Sequence, residues 1–346
     1  MGSSPRSQSP SAARATLLIL LLLTALLFLV YLSLGAIRLD ILKVFGALVT
    51  GETDSTLGTI VWRIRLPRAC GCVAAGAILA MVGSAFQALF RNPLAEPYVV
   101  GVSSGAAVGG ALAVVSGFGA SWSGPALGLG TLLFSTAGGL LALLAVLALS
   151  RRRGVIEVHT LLLAGVVLGA MMSAVLSMIL LMGGRDANQV LRWLLGSFAG
   201  IGWPRVASMA LAAGVAALVL LSQSKRLNAF SLGEETAQRL GVNVRRLKPL
   251  VLLTGTVAAA VTVGSVGIIG FLGLVAPHIA RRLVGVDWRW SLGASGLIGS
   301  ALLLAADLAA QRAVASTEIP VGVITAILGA PVLITLMRRR DAGMLS

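Results

Sequence analysis

Ionisable and sulfur-bearing side chains are scarce inside the apolar runs of this chain, so each one needs a reason. Asp307 lies within LLLAADLAA, where burying a charge is costly and a carboxylate marks either a functional group or a hydrogen-bonded one. In an ion-driven carrier it would exchange a proton, and in a packed bundle it would hold a structural hydrogen bond. Cys70 and Cys72 form CGC near the start of another apolar run. A metal or redox pair is one reading, and two small buried thiols are the simpler one. His159 and His278, the chain's two histidines, lie far apart in sequence. No HExxH and no paired-aspartate motif is present, and no GxxxxGK[ST] loop binds phosphate. None of Lys43, Lys225 and Lys248 follows a glycine-rich turn. The chain is therefore not expected to be an enzyme, nor to hydrolyse ATP itself.

The elements that must position these residues are set by composition. Of 346 residues, 57% are hydrophobic and 11% charged, against about 25% charged in a soluble domain; mean hydropathy is +0.97. The expected class is an all-α polytopic membrane protein with about ten transmembrane helices. Apolar windows of about 20 residues place the spans near 16–37, 68–90, 98–117, 125–149, 157–183, 203–222, 247–267, 291–312 and 320–337, with a shorter, glycine-broken one near 268–285. The first run is too long for a secretory h-region and reads as a retained helix. The organisation is a tail 1–15, one membrane domain 16–340 that includes a polar loop 223–248, and a tail 341–346.

A net charge of +15 would suggest nucleic acid in a soluble protein. Here the position of the charges decides. With both termini cytoplasmic, most of the 27 Lys and Arg residues fall on the inner side, among them Arg6, Arg151 to Arg153, Arg245 and Arg338 to Arg340, as the positive-inside rule expects. The outer side keeps Arg38, Lys43, Arg63, Arg65, Arg68, Arg185, Arg192, Arg205 and Arg312.

Two stretches interrupt the helical pattern. RNPLAEPYVVGVSSGAAVG (91–109) sets two prolines, Asn and Glu between apolar segments. Non-helical backbone at membrane depth is tolerated only where protein or a water-filled cavity satisfies it, so this break is a candidate gate or path. Gly264, Gly267, Gly270 and Gly273, followed by Pro277, predict a second broken or re-entrant helix, or a tight turn at the membrane edge. Gly101, Gly105 and Gly109 share a face, as do Gly165 and Gly169, which predicts close helix packing. Val82-Gly83-Ser84 recurs as Val263-Gly264-Ser265, a faint sign of an inverted repeat of spans two to five in spans seven to ten. In the polar loop, Ser231 is expected to cap a short helix with Glu234 reaching back, and Gly241 to end it. That helix is either a contact element or an ordinary surface loop.

Six segments, RLPR (65–68), QALFRNPLAEPYVVGVSSGAAVG (87–109), LLLAG (161–165), LGEETAQRLGVNVRRLK (232–248), GFLGLVAPHIARRLVG (270–285) and EIPVGVITAILGAPVLITLMRR (318–339), occur in that order. Together they resemble the FecCD-type permeases, the membrane subunits of ABC importers for iron-siderophores, haem and cobalamin. The resemblance implies a type II ABC importer permease fold in a bacterial inner membrane. It implies a homodimer with its path at the two-fold axis, two ATPase subunits that hold ATP and Mg, a periplasmic substrate-binding protein, and no permanently bound cofactor. Gly233, Glu234, Glu235, Ala237, Arg239 and Leu240 would form the coupling helix seated on an ATPase. Arg65, Arg68 and Arg312 would pair with carboxylates of the binding protein, for which the guanidinium fork is suited; snorkelling anchors are the alternative. Asn92, Pro93 and Leu94 would form a gate with Val158 and His159, where relatives carry small hydroxyl residues. The cargo would be haem, a ferric siderophore or cobalamin. An ion-gradient-driven secondary transporter using Asp307 is the competing reading.

Overall fold

The computed structural model describes residues 9–35, 39–51, 53, 55–118, 128–152, 155–184, 186–314 and 318–342. Arg6, Arg38, Arg153 and Arg185, which entered the charge argument, lie outside them, as do the ends of both tails. Helix α1 (Pro10–Leu34) begins inside the expected tail, because the Ser9 hydroxyl caps the Ala12 N–H and Pro10 suits the first helical position. It presses Ala13, Thr24 and Tyr31 on the bundle and leaves Leu18, Leu22 and Leu26 exposed. A short α2 (Ile41–Thr50) follows, capped by Asp40 and stopped at Gly51, whose φ is +66°.

Helix α3 (Thr56–Thr59), a π turn at Ile60–Arg65 and α4 (Leu66–Phe90) form one rod of 35 residues. The rod is the axis of the molecule, and α4 is buried along most of its length. A 3-10 turn (Pro97–Val100) leads into α5 (Val102–Val115), then α6 (Leu129–Ser150), a two-residue hairpin β1 (Arg151–Arg152) and β2 (Val155–Ile156), and α7 (Val158–Met182). The chain continues through α8 (Asp186–Leu194), α9 (Trp203–Ser222), α10 (Ser224–Ser231), α11 (Glu234–Arg239) and α12 (Val244–Val266). It closes with α13 (Leu272–Val284), α14 (Trp288–Arg312) and α15 (Val321–Ala342). Every expected span contains a helix. Among the described residues seven helices are long and apolar enough to cross a membrane, with α5 and the start of α15 as shorter apolar helices, so the chain is a multi-pass membrane protein. At 1.5 Å per residue, α5 and α13 reach only about 20 Å, short of a hydrocarbon core of about 30 Å.

Small residues let the axis helix approach its neighbours. A Cβ on Gly76 would stand 2.5 Å from the Gly299 carbonyl oxygen on α14, and one on Gly105 would stand 2.5 Å from that of Gly138 on α6. Backbones this close admit no side chain, which is the packing predicted for the glycine faces.

The two interruptions fall where expected, at 91–101 and 267–271, and they pack on each other. Gln87 donates from Nε2 to the Ala95 (3.3 Å) and Gly273 (2.9 Å) carbonyls. Tyr98 donates its hydroxyl to the Ile269 carbonyl at 3.1 Å, and the Phe271 N–H donates to Glu96 Oε1 at 2.8 Å. Irregular backbone thus finds its partners in protein, the condition for keeping it at membrane depth.

Candidate functional site

Chemistry collects at the two ends of α4. One end carries the 223–248 loop and is called the loop end; the other carries Arg65 and Arg68.

At the loop end, α11 starts at Gly233, not through a Ser231 cap. The Ser231 hydroxyl donates to the Asn228 carbonyl at 2.7 Å, while Gly233 takes the capping position with φ +123°, a conformation that side chains disfavour. Gly241 ends the turn, with φ +83° and its N–H on the Gln238 carbonyl. Ala237 is wholly buried and holds α11 to the bundle, whereas Leu232 (68% exposed) and Leu240 (62%) point outward with Glu235 and Arg239. Of the six expected contact residues, then, Ala237 presents no surface and Gly233 is half-buried. Glu234 is engaged inward, where its carboxylate accepts from Lys248 Nζ at 2.7 and 2.8 Å. Glu235, Arg239 and Leu240 of the expected residues are exposed, and Leu232, Thr236 and Gln238 are exposed beside them.

Asn228 secures α10 to the start of α14. Its amide donates to Asp287 Oδ1 at 2.7 Å and its carbonyl accepts from the Trp288 N–H at 2.9 Å. Partial burial raises the Asp287 carboxyl, but hydrogen bonds from Arg289 and Asn228 outweigh that and hold it below the usual carboxylate range.

Beside α11 lies a cavity of about 830 Å³ lined by Arg91, Asn92, Glu157, Val158, His159, Phe230 and Glu234 among others. The structure therefore brings Asn92, Val158 and His159 to one space, together with Glu234 of α11. Asn92 Oδ1 accepts from the Leu94 N–H at 3.0 Å, which fixes the turn through Pro93. His159 is exposed at this mouth.

The opposite end departs from expectation. Arg65 and Arg68 are 7% and 8% exposed and face the bundle. Arg65 donates to the Leu32 carbonyl at 2.6 Å. Arg68 bonds Asp307 through Nε (2.8 Å) and Nη2 (3.1 Å), and reaches Glu318 through Nη1 at 2.9 and 3.1 Å. The Tyr31 hydroxyl and the Gln311 amide also donate to Asp307 Oδ2. The carboxylate pairing expected with another protein is thus made within the chain for Arg68, and only Arg312 of the three is exposed. Asp307 takes the structural reading, as the centre of a knot that joins α1, α4, α14 and the segment entering α15. Cys72 is buried and Cys70 half-buried, both as free thiols. Among the described residues no three His, Cys, Asp or Glu side chains gather as a metal site.

Sequence reasoning missed Lys248, Tyr31, Gln311 and Glu318. Gln311 stood one helical turn from Asp307 and was readable on that ground. The partners of Lys248 and Glu318 are set by tertiary contacts.

Comparison with known proteins agrees with this architecture. A solved ABC transporter described as of metal-chelate type, in an inward-facing conformation, superposes with a TM-score of 0.82 at 30% identity, covering 93% of this chain and 98% of that one. A cobalamin import system permease, BtuC of Halobacterium salinarum, is 41% identical over 290 residues, 84% of this chain and 76% of the relative. The vitamin B12 import system permease BtuC of Salmonella paratyphi A is 41% identical over 83% of this chain and 86% of its own length. YvrB of Bacillus subtilis, an uncharacterized ABC transporter permease protein, is 37% identical over 85% and 82%. The model of the FecCD transport family matches residues 21–339, and the chain belongs to that family.

Proposed function

We propose that this protein is the permease subunit of an ATP-driven importer, working as a homodimer with two ATPase subunits and an external substrate-binding protein. Both termini then lie in the cytoplasm of a bacterial cell and the loop end faces the ATPases. The observation that carries this reading is the build of α11: a short helix anchored by Ala237 and Glu234, with Leu232 and Leu240 at its two ends left exposed by the described residues. Exposed leucines beside Glu235 and Arg239 on a polar face suit a protein partner. ATP closure of that partner would move α11, and the mouth at Asn92, Val158 and His159 would open or shut with it. ATP and Mg belong to the partner.

Cargo is proposed from the relatives, whose names point to cobalamin and metal chelates, with cobalamin first and haem or a ferric siderophore after it. The ion-gradient reading loses its carrier, because Asp307 is engaged by Arg68, Tyr31 and Gln311. The test is reconstitution in liposomes with the ATPase and binding protein that accompany this chain. Cobalamin-loaded binding protein should raise ATP turnover and drive uptake. Uptake driven by an ion gradient without the ATPase would refute the proposal.

A further inference from the structure

Lys43 and Lys225 are exposed, whereas Lys248 on α12 is 3% exposed. An ammonium has three N–H donors, and here all three have partners: Glu234 Oε1 and Oε2 at 2.8 and 2.7 Å and the Ile156 carbonyl at 2.8 Å. The charge also stands 5.8 Å from the centre of the Phe230 ring on α10. These partners lie on separate elements. Glu234 opens α11, Ile156 ends β2, and Val158 begins α7 two residues later. The bridge is also a wall, since Glu234 and Ile156 line both the 830 Å³ cavity at the mouth and a second cavity of about 530 Å³ that Lys248 itself lines. With space on either side, the ammonium and its three hydrogen bonds form a direct connection from α11 across to the entrance of α7.

We infer that Lys248 is a positioning residue for transport: by holding the Glu234 carboxylate and the Ile156 carbonyl on one buried ammonium, it delivers displacement of α11 to the entrance of α7. This rests on the importer reading and adds to it the residue through which inner movement reaches the gate. A side chain on α12 suits the role, because α12 is packed into the core along its length and gives the bridge a fixed base. Three charge-assisted hydrogen bonds stiffen the junction where one neutral bond would let α11 and β2 slide apart.

The experiment compares wild type with Lys248→Met, Lys248→Arg and the double variant Lys248→Met/Glu234→Leu, each reconstituted with the ATPase and binding protein. Cargo moved per ATP hydrolysed should fall roughly tenfold in Lys248→Met, and Lys248→Arg should recover most of it. The double variant leaves no unpaired buried charge and should show the same fall, so the inference stays testable where the single variant folds poorly. A wild-type cargo-to-ATP ratio in either methionine variant overturns it. A second readout needs no transport: with Cys70→Ala and Cys72→Ala as background, spin labels at Gln238→Cys and His159→Cys in the purified permease should give a narrow distance distribution that broadens with Lys248→Met. An unchanged width also overturns the inference. If the wild-type complex takes up no cargo with ATP, the importer reading fails, and the label distances still judge the bridge.

Discussion

The buried cations Arg68, on α4, and Lys248, on α12, have partners that differ in kind. Arg68 is held by two carboxylates, a tyrosine-supported aspartate on α14 and a partly exposed glutamate in the segment entering α15. Lys248 is held by one carboxylate on the six-residue helix α11 and one carbonyl at the tip of a two-residue strand. The arginine fork suits a planar grip on Asp307, whereas the ammonium is a point charge that gathers Glu234 and the Ile156 carbonyl around one atom. One end is tied as a knot; on the proposed function the other is the joint that passes movement on.

This contrast can be broken from the side of the knot first. Arg68→Leu leaves Asp307 buried and uncompensated, and thermal unfolding in detergent should show a loss of about 3–5 kcal/mol. The double variant Arg68→Leu/Asp307→Leu should regain most of it; equal damage in both would mean that shape, not charge, holds this end. Tyr31→Phe removes one hydrogen bond to the buried carboxylate and should cost about 1.5–3 kcal/mol by the same assay. Glu318→Gln should cost less than about 1 kcal/mol, since the Glu318 side chain is 41% exposed where that of Asp307 is 1%; a loss as large as that of Arg68→Leu would show the two carboxylates to be equal members. At the joint, Leu232→Ala and Leu240→Ala should leave the melting temperature unchanged and weaken ATPase capture in a pull-down. Lost stability with intact capture would make α11 part of the frame and dissolve the contrast.

Much of this was legible in the residues. Length and hydropathy located the spans, because the hydrocarbon thickness fixes how many apolar residues a crossing needs. The prolines of 91–109 and the glycines of 264–273 marked both interruptions. Helices α2 and α8 were not read as elements, since both are too short to register as spans, although Asp40 before α2 and Asp186 at the start of α8 were usable start signals. The Ser231 cap failed for a local reason: its hydroxyl found the Asn228 carbonyl, and Glu234 found a lysine fourteen residues on.

The sequence by itself determined the membrane class, the order of the helices, the places where they break and the family motifs, since each follows from spacing along the chain. Only the tertiary structure decided that Arg68 is turned inward to Asp307 and Glu318, that Ala237 is an anchor, and that Lys248 joins α11 to the start of α7. The physical reason is that a buried charge takes whichever counter-charge the packed bundle brings within about 3 Å. Those partners, 239, 250, 92 and 14 residues away in the chain, are chosen by helix packing and not by local pattern.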